Sequence, residues 1–144
     1  MIEFREITKE NFKECINLKL KNDQDKFVAP NLYSIAQAGV WKGTESFAIY
    51  SKEKMVGFIM FYFDEKEKAG DLWRLMIAGD YQGMGYGKAA LQKMIKQFRK
   101  IENCSKISLS YVPGNESAEK LYKFVGFEAN GEIDNGEIVM EMKL

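Results

Sequence analysis

Between an apolar run, Leu72 to Ala78, and an amphipathic one, Lys88 to Ile101, the chain sets three glycines at alternate positions, Gly83, Gly85 and Gly87. The first run breaks at Gly79-Asp80, and the second repeats Leu91, Met94, Ile95, Phe98 and Ile101 at helical spacing. The stretch therefore reads as strand, glycine turn, helix. The opening N–H groups of a helix have no partner within it, and the macrodipole places partial positive charge at that end. Glycines there remove the side chains that would hold an anion away from those donors, so a phosphate-bearing ligand is the first expectation.

Several turns bind phosphate in this way, and their details differ. A Walker A loop requires glycine at position 82 and a magnesium-binding hydroxyl at position 89; the chain has Gln82 and Ala89. Gly85 to Ala90 fits a loose dinucleotide fingerprint, but no acidic residue closes a second strand about 20 residues later, since Ser108 to Val112 carry none. A plain strand-to-helix connection would explain one or two glycines. Three within five residues cost conformational entropy that packing alone does not require.

Composition narrows the chemistry. With 144 residues the chain is expected to form one domain, 1–144, with a substantial core. Lys plus Arg and Asp plus Glu are equal at 21 each, so no overall field draws the protein to nucleic acid or to an anionic membrane. There is no histidine, which excludes Ser-His and Cys-His triads, and Cys15 and Cys104 lie far apart without metal spacing; no metal is expected. The longest apolar stretch, Met55 to Phe63, has strand length, and no secretory leader precedes the first elements, so a soluble, cytoplasmic protein is expected.

Ile2 to Ile7 alternates as a strand, and Thr8 is placed to cap a helix with Phe12, Cys15, Ile16 and Leu20 on its inner face. Lys21 to Lys26 reads as a polar break, and Asn31 as the cap of a helix from Leu32 to Trp41. Ser46–Tyr50 and Met55–Phe63 form a hairpin, and Asp64 to Gly70 a charged turn. After the long helix come a strand from Lys106 to Val112, a helix over Glu116 to Val125 capped by Asn115 and ended by Gly126, and two strands joined at Asp134-Asn135-Gly136.

Gln82-Gly-Met-Gly-Tyr-Gly87, with the apolar strand before it, resembles motif A of the GNAT superfamily of N-acetyltransferases, Gln/Arg-x-x-Gly-x-Gly/Ala. Asn115-Glu-Ser-Ala118 through Tyr122 to Gly126-Phe127 is similar to that family's motif B. The resemblance implies an α/β fold: a mixed, mostly antiparallel sheet of about seven strands flanked by about four helices. It implies that acetyl-CoA is the co-substrate, its pyrophosphate held at Gln82, Gly83, Met84, Gly85, Gly87 and Lys88, with a further contact from Asn115. A main-chain N–H near Met76 or Ile77 would serve the oxyanion, and Tyr122, read as facing away from the core centre while Leu121, Phe124 and Val125 face inward, would protonate the leaving thiolate.

Trp73-Arg74, Tyr81 to Gly87 and the tail Gly131 to Met140 resemble, more closely, the bacterial polyamine and diamine acetyltransferases of this superfamily. The implied acceptor is a small amine, a polyamine first, with an aminoglycoside, an amino acid or a peptide N-terminus as alternatives. A coenzyme-binding sensor without catalysis and a dinucleotide-binding oxidoreductase are the other readings. Asp23, Asp25, Glu45, Asp64 and Asp71 are the carboxylates available to a polycation, and the resemblance also raises the expectation of a homodimer.

Overall fold

The computed structural model describes residues 1–144. A seven-stranded sheet runs β1 (Glu3–Glu6), β2 (Thr44–Ser51), β3 (Lys54–Asp64), β4 (Ala69–Ile77), β5 (Lys106–Tyr111), β7 (Glu137–Lys143), β6 (Glu128–Asp134) in spatial order. Only β4 and β5 pair in parallel. The connection between them is the glycine turn and α3 (Tyr86–Arg99), as a parallel pair requires a crossover. Helices α1 (Phe12–Ile16) and α2 (Asn31–Ala38) lie on one face of the sheet; α3 and α4 (Glu116–Val125) lie on the other.

Strand alternation explains the two cores. Val56, Ile59, Phe61, Leu72, Ile107, Leu109 and Met140 meet Leu91, Met94 and Phe98 of α3, while Ala48, Phe58, Met60 and Met76 meet Cys15 of α1. Gly70 lies directly under Phe98, where an added Cβ would come within 2.7 Å of the ring. The close approach places α3, and hence the turn that begins it, at a fixed height over β4.

The expected α/β architecture and the β α α β β β α β α β β order are present. The Asn135-Gly136 turn has positive φ at both residues, 48° and 80°, as a two-residue type I′ hairpin demands. Several details differ. Helix α1 is only five residues long, and what reads as a polar break is a 3-10 helix, Asn22–Phe27. Asn31 does not cap α2: it lies inside the helix, 6% exposed, where its Nδ2 donates to the Cys15 carbonyl at 2.8 Å and ties α2 to α1. Helix α2 ends at Ala38, short of Trp41, and β4 starts at Ala69, so the charged turn is shorter than expected.

The feature that matters for function is a split. Pairing of β4 with β5 runs from Ala69↔Lys106 to Leu72↔Leu109 and stops there, although β4 continues to Ile77. A register shift between Met60 and Phe61 leaves Trp73 as the extra residue on β4 at the point where the strands part.

Candidate active site

One mouth of the split opens into a cleft of about 330 Å³ on the α3–α4 side. Its floor is Leu75, Met76 and Ile77 of β4. The glycine turn forms one wall, and Asn115, Ala118, Leu121 and Tyr122 of α4 form another. Leu20, Gln24, Phe27 and Val28, from the 3-10 segment and its flanks, close the far side. A larger depression, about 690 Å³, lies beside α1 between Glu6, Lys13 and Ile35; it has none of these elements and is a surface hollow between packed segments.

The turn presents its backbone to the cleft. Gly85 is the N-cap of α3 at φ 86°, and Gly83 has φ 79°, a left-handed region that disfavours side chains. A Cβ at either would stand in open space. The first N–H of the region to find a backbone acceptor is that of Ala89, which donates to the Gly85 carbonyl at 3.1 Å, so the N–H groups from Gly83 to Lys88 have no backbone partner. Gly87 is needed for a different reason: its Cβ would press within 3.2 Å of Leu121, where α3 and α4 meet. Met84 is exposed and is not among the residues that line the cleft. Lys88 lies over the ring of Phe124 at 4.5 Å.

Gln82 and Asn115 both line the cleft and both make hydrogen bonds within the protein. The Gln82 N–H donates to the Gly79 carbonyl, and its side chain is bonded to Gln24 and to the Ile77 carbonyl. Asn115 caps α4 by accepting from Ala118 N–H at 3.4 Å, which leaves its Nδ2 toward the cleft as its free group.

Along β4, Ala78 N–H donates to the Val56 carbonyl at 2.8 Å. Antiparallel alternation then engages Met76 with Phe58 and turns the backbone N–H groups of Leu75 and Ile77 toward the split. Of the two positions expected to supply an oxyanion donor, Ile77 fits and Met76 does not. Leu75 is a donor the sequence did not single out.

Tyr122 does not face away from the core. It is 9% exposed, belongs to the main core cluster, and packs against Tyr111 and Phe127 with ring centroids 6.3 and 6.2 Å away. It reaches the cleft as well, because α4 sets Ala118, Leu121 and Tyr122 along its inner side. Burial first, then the Glu137 charge, pushes its pKa up to about 12, so the phenol is protonated throughout the neutral range. Phe124, expected in the core, is 70% exposed; Tyr122 takes the inward position instead.

The face that carries α1 and α2 is not covered by a helix over β5 and β7, and there β4 and β5 are still paired at Asp71↔Ser108. A groove of about 510 Å³ runs there beside Asp71, Ser108, Ser110, Glu132 and Asp134. Asp71 accepts from Trp73 Nε1 at 3.2 Å. Desolvation outweighs that bond, and the charges of Asp134 and Asp64 add to it, raising the Asp71 pKa to about 6. Asp71 is thus the one expected carboxylate that lines the groove. Asp64 stands close enough to influence it, while Asp23, Asp25 and Glu45 are exposed surface charges. Glu132 and Asp134 were missed because the β6–β7 hairpin, far along the chain, brings them in.

Residues 3–127 match the family described as Acetyltransferase (GNAT). The chain is 31% identical to the spermine/spermidine N(1)-acetyltransferase of Bacillus subtilis (strain 168), over 99% of both chains. Among solved structures it resembles spermidine N-acetyltransferase from Vibrio cholerae in complex with CoA and spermine, with a TM-score of 0.77, 16% identity, and coverage of 99% of this chain and 94% of that one. It also resembles the PaiA N-acetyltransferase of Thermoplasma acidophilum in complex with coenzyme A, at a TM-score of 0.76 and 18% identity, covering 100% and 99%.

Proposed function

The chain belongs to the acetyltransferase (GNAT) family, and from that premise we propose that it moves the acetyl group of acetyl-CoA to a primary amine of a polyamine such as spermine or spermidine, by direct attack in a ternary complex. It is an acetyl-CoA-dependent N-acetyltransferase; the acceptor, the ternary complex and the residue roles are the proposal. One observation carries it: β4 and β5 part beyond Leu72 beside a cleft whose glycine turn has unpaired N–H donors, and a carboxylate-lined groove lies on the opposite face of the sheet.

In this reading the N–H groups of Gly83 to Lys88 hold the pyrophosphate, and Asn115 Nδ2 adds a contact. The thioester lies along the split. A neutral amine arriving from the groove attacks the carbonyl carbon, and the charge that develops on oxygen meets the N–H of Leu75 or Ile77. The C–S bond breaks, and the thiolate takes the Tyr122 proton while the former amine loses one on the groove side. Asp71, ionised above about pH 6, lies where a cationic acceptor would be drawn in. Holding two substrates together supplies much of the remaining acceleration.

The test is acetyl-CoA-dependent thiol release over a panel of amines. Turnover is expected with spermine or spermidine and should rise with pH as the attacking amine, with pKa about 10, loses its proton. Good turnover of an aminoglycoside, amino acid or peptide with none for any polyamine overturns the acceptor assignment. Acetyl-CoA binding with no turnover of any amine points to a sensor instead.

A further inference from the structure

Strand alternation divides β5 and β7 between two environments. Ile107, Leu109, Tyr111 and Met140 enter the core beneath α3 and α4, so Ser108, Ser110, Glu137 and Val139 belong to the opposite face. Ser108, Ser110 and Val139 line the groove there, together with Asp71, Glu132 and Asp134. Ser110 is also the first residue of β5 beyond Leu109, where pairing with β4 ends. It therefore belongs both to the groove and to the point at which the strands part.

The Ser110 hydroxyl has one partner. Its Oγ donates to Glu137 Oε1 at 2.9 Å, across to the first residue of β7. Glu137 follows directly on the Asn135-Gly136 turn, which sets it opposite Asp134. Neighbouring carboxylates have other donors: Asp71 accepts from Trp73 Nε1, Glu132 from Asn130 Nδ2 at 3.4 Å, and Glu141 from Lys106 Nζ at 3.3 Å. Glu137 takes part in no salt bridge. A serine whose proton points at a carboxylate keeps its own lone pairs for a donor arriving from the other side. Glu137 also lies close enough to Tyr122 for its charge to raise the phenol pKa, so the pair stands within electrostatic reach of the proposed acid.

We propose that Ser110 and Glu137 form the proton-accepting relay for the acceptor amine. As the nitrogen bonds to the thioester carbonyl carbon, its N–H proton passes to Ser110 Oγ, and the Ser110 proton passes to the Glu137 carboxylate. The inference rests on the acetyltransferase reading of the cleft and supplies the base that this reading needs. The protons balance: Glu137 gains one, Tyr122 gives one to the departing thiolate, and exchange with water returns both groups to their starting state.

The experiment is steady-state turnover with saturating acetyl-CoA and the best amine of the panel, on the wild type and on Glu137→Gln, Ser110→Ala, Ser110→Thr and the Glu137→Gln/Ser110→Ala double variant. Glutamine has the shape of glutamate and still accepts from Ser110 Oγ, but it cannot take the proton. Glu137→Gln should lower kcat by about 10²-fold, while amine KM and the acetyl-CoA Kd move by less than about threefold and Tm hardly changes. Ser110→Ala should lower kcat by about 10- to 100-fold, since a water can take the place of the hydroxyl. Ser110→Thr keeps the hydroxyl and should stay within about threefold of the wild type. The double variant should be no slower than the slower single one, because both act in one step. A kcat for Glu137→Gln within about threefold of the wild type, or a loss confined to amine KM, overturns the relay. So does a Ser110→Thr variant as slow as Ser110→Ala. A kcat loss of about 10²-fold in Asp71→Asn with none in Glu137→Gln overturns it too, by moving the base to Asp71. Wild-type turnover decides the acetyltransferase reading separately, and its absence with every amine removes that reading and the relay together.

Discussion

The glycine turn and the carboxylate-lined groove lie on opposite faces of the sheet and are built in opposite ways. The turn is consecutive, Gln82 to Lys88, and offers unpaired backbone N–H groups beside Gly83 and Gly85 in left-handed conformations. The groove works through side chains drawn from β4, β5 and β6, and exists only because β5 pairs with β7 and β7 with β6. A backbone site tolerates variation in its side chains and binds what every coenzyme molecule shares. A side-chain site can be retuned one carboxylate at a time. The same scaffold can thus keep its donor constant while its acceptor changes.

Tyr122 lines the cleft beside the turn, and changing it should have the largest effect. Tyr122→Phe keeps the ring that packs against Tyr111 and Phe127, so stability and the acetyl-CoA Kd should hardly change. Loss of a general acid should lower kcat by about 10² to 10⁴-fold, roughly 3 to 5 kcal/mol in the barrier. Near-normal kcat with tight coenzyme binding would make Tyr122 a packing residue, as its burial alone would suggest.

The next effect is confined to the coenzyme region. Valine at position 85 would confuse two effects, because a β-branched side chain is strained at φ 86°. Gly85→Asn tolerates that φ and adds its side chain to the open space in front of the donors. Hydrogen bonds to a charged group are worth about 1.5 to 3 kcal/mol, so acetyl-CoA should weaken by about 10- to 150-fold while Tm moves little. Unchanged affinity in a folded variant would remove the phosphate from this turn.

The smallest effect on activity belongs to the groove. Asp71→Asn should raise amine KM by about 5- to 10-fold, roughly 1 to 1.4 kcal/mol, with kcat and the coenzyme Kd nearly unchanged. The carboxyl has a folded pKa of about 6, above its unfolded value. The native state therefore holds this proton more tightly, and the associated stability is fully present below about pH 4 and lost as pH rises through about 6. Wild type and variant should melt alike near pH 4, and the variant should be more stable at pH 8, by up to about 3 kcal/mol. A variant that is less stable at pH 8, with unaltered amine KM, would make Asp71 a structural group.

The same contrast explains what could be read from the chain. The strand order, the hairpin at Asn135-Gly136 and the turn follow from local signals: periodicity, glycines, and a cap at Asn115. The 3-10 segment Asn22–Phe27 has no such period, and its polar residues resemble any loop until Gln24 meets Gln82. Asn31 looked like a cap because asparagine often is one; a buried bond to the Cys15 carbonyl won instead. The inward turn of Tyr122 in place of Phe124 depends on where α4 sits against β7, which a helical wheel does not record. Separating Ile77 from Met76 required the phase of the β3–β4 ladder.

The split has a consequence for how the chain behaves among its neighbours. A sheet that parts in its middle has two internal edges in addition to its outer ones, and unpaired strand backbone is the template on which foreign strands add. Two features described for other reasons guard it here. The 3-10 segment closes one side of the cleft, and Asp71, Glu132 and Asp134 set like charges on the opposite face, next to where β4 and β5 part. The groove that would attract a polyamine also repels an acidic strand. If a slender cation is the acceptor, as proposed, its attraction and the repulsion of acidic strand edges draw on the same carboxylates.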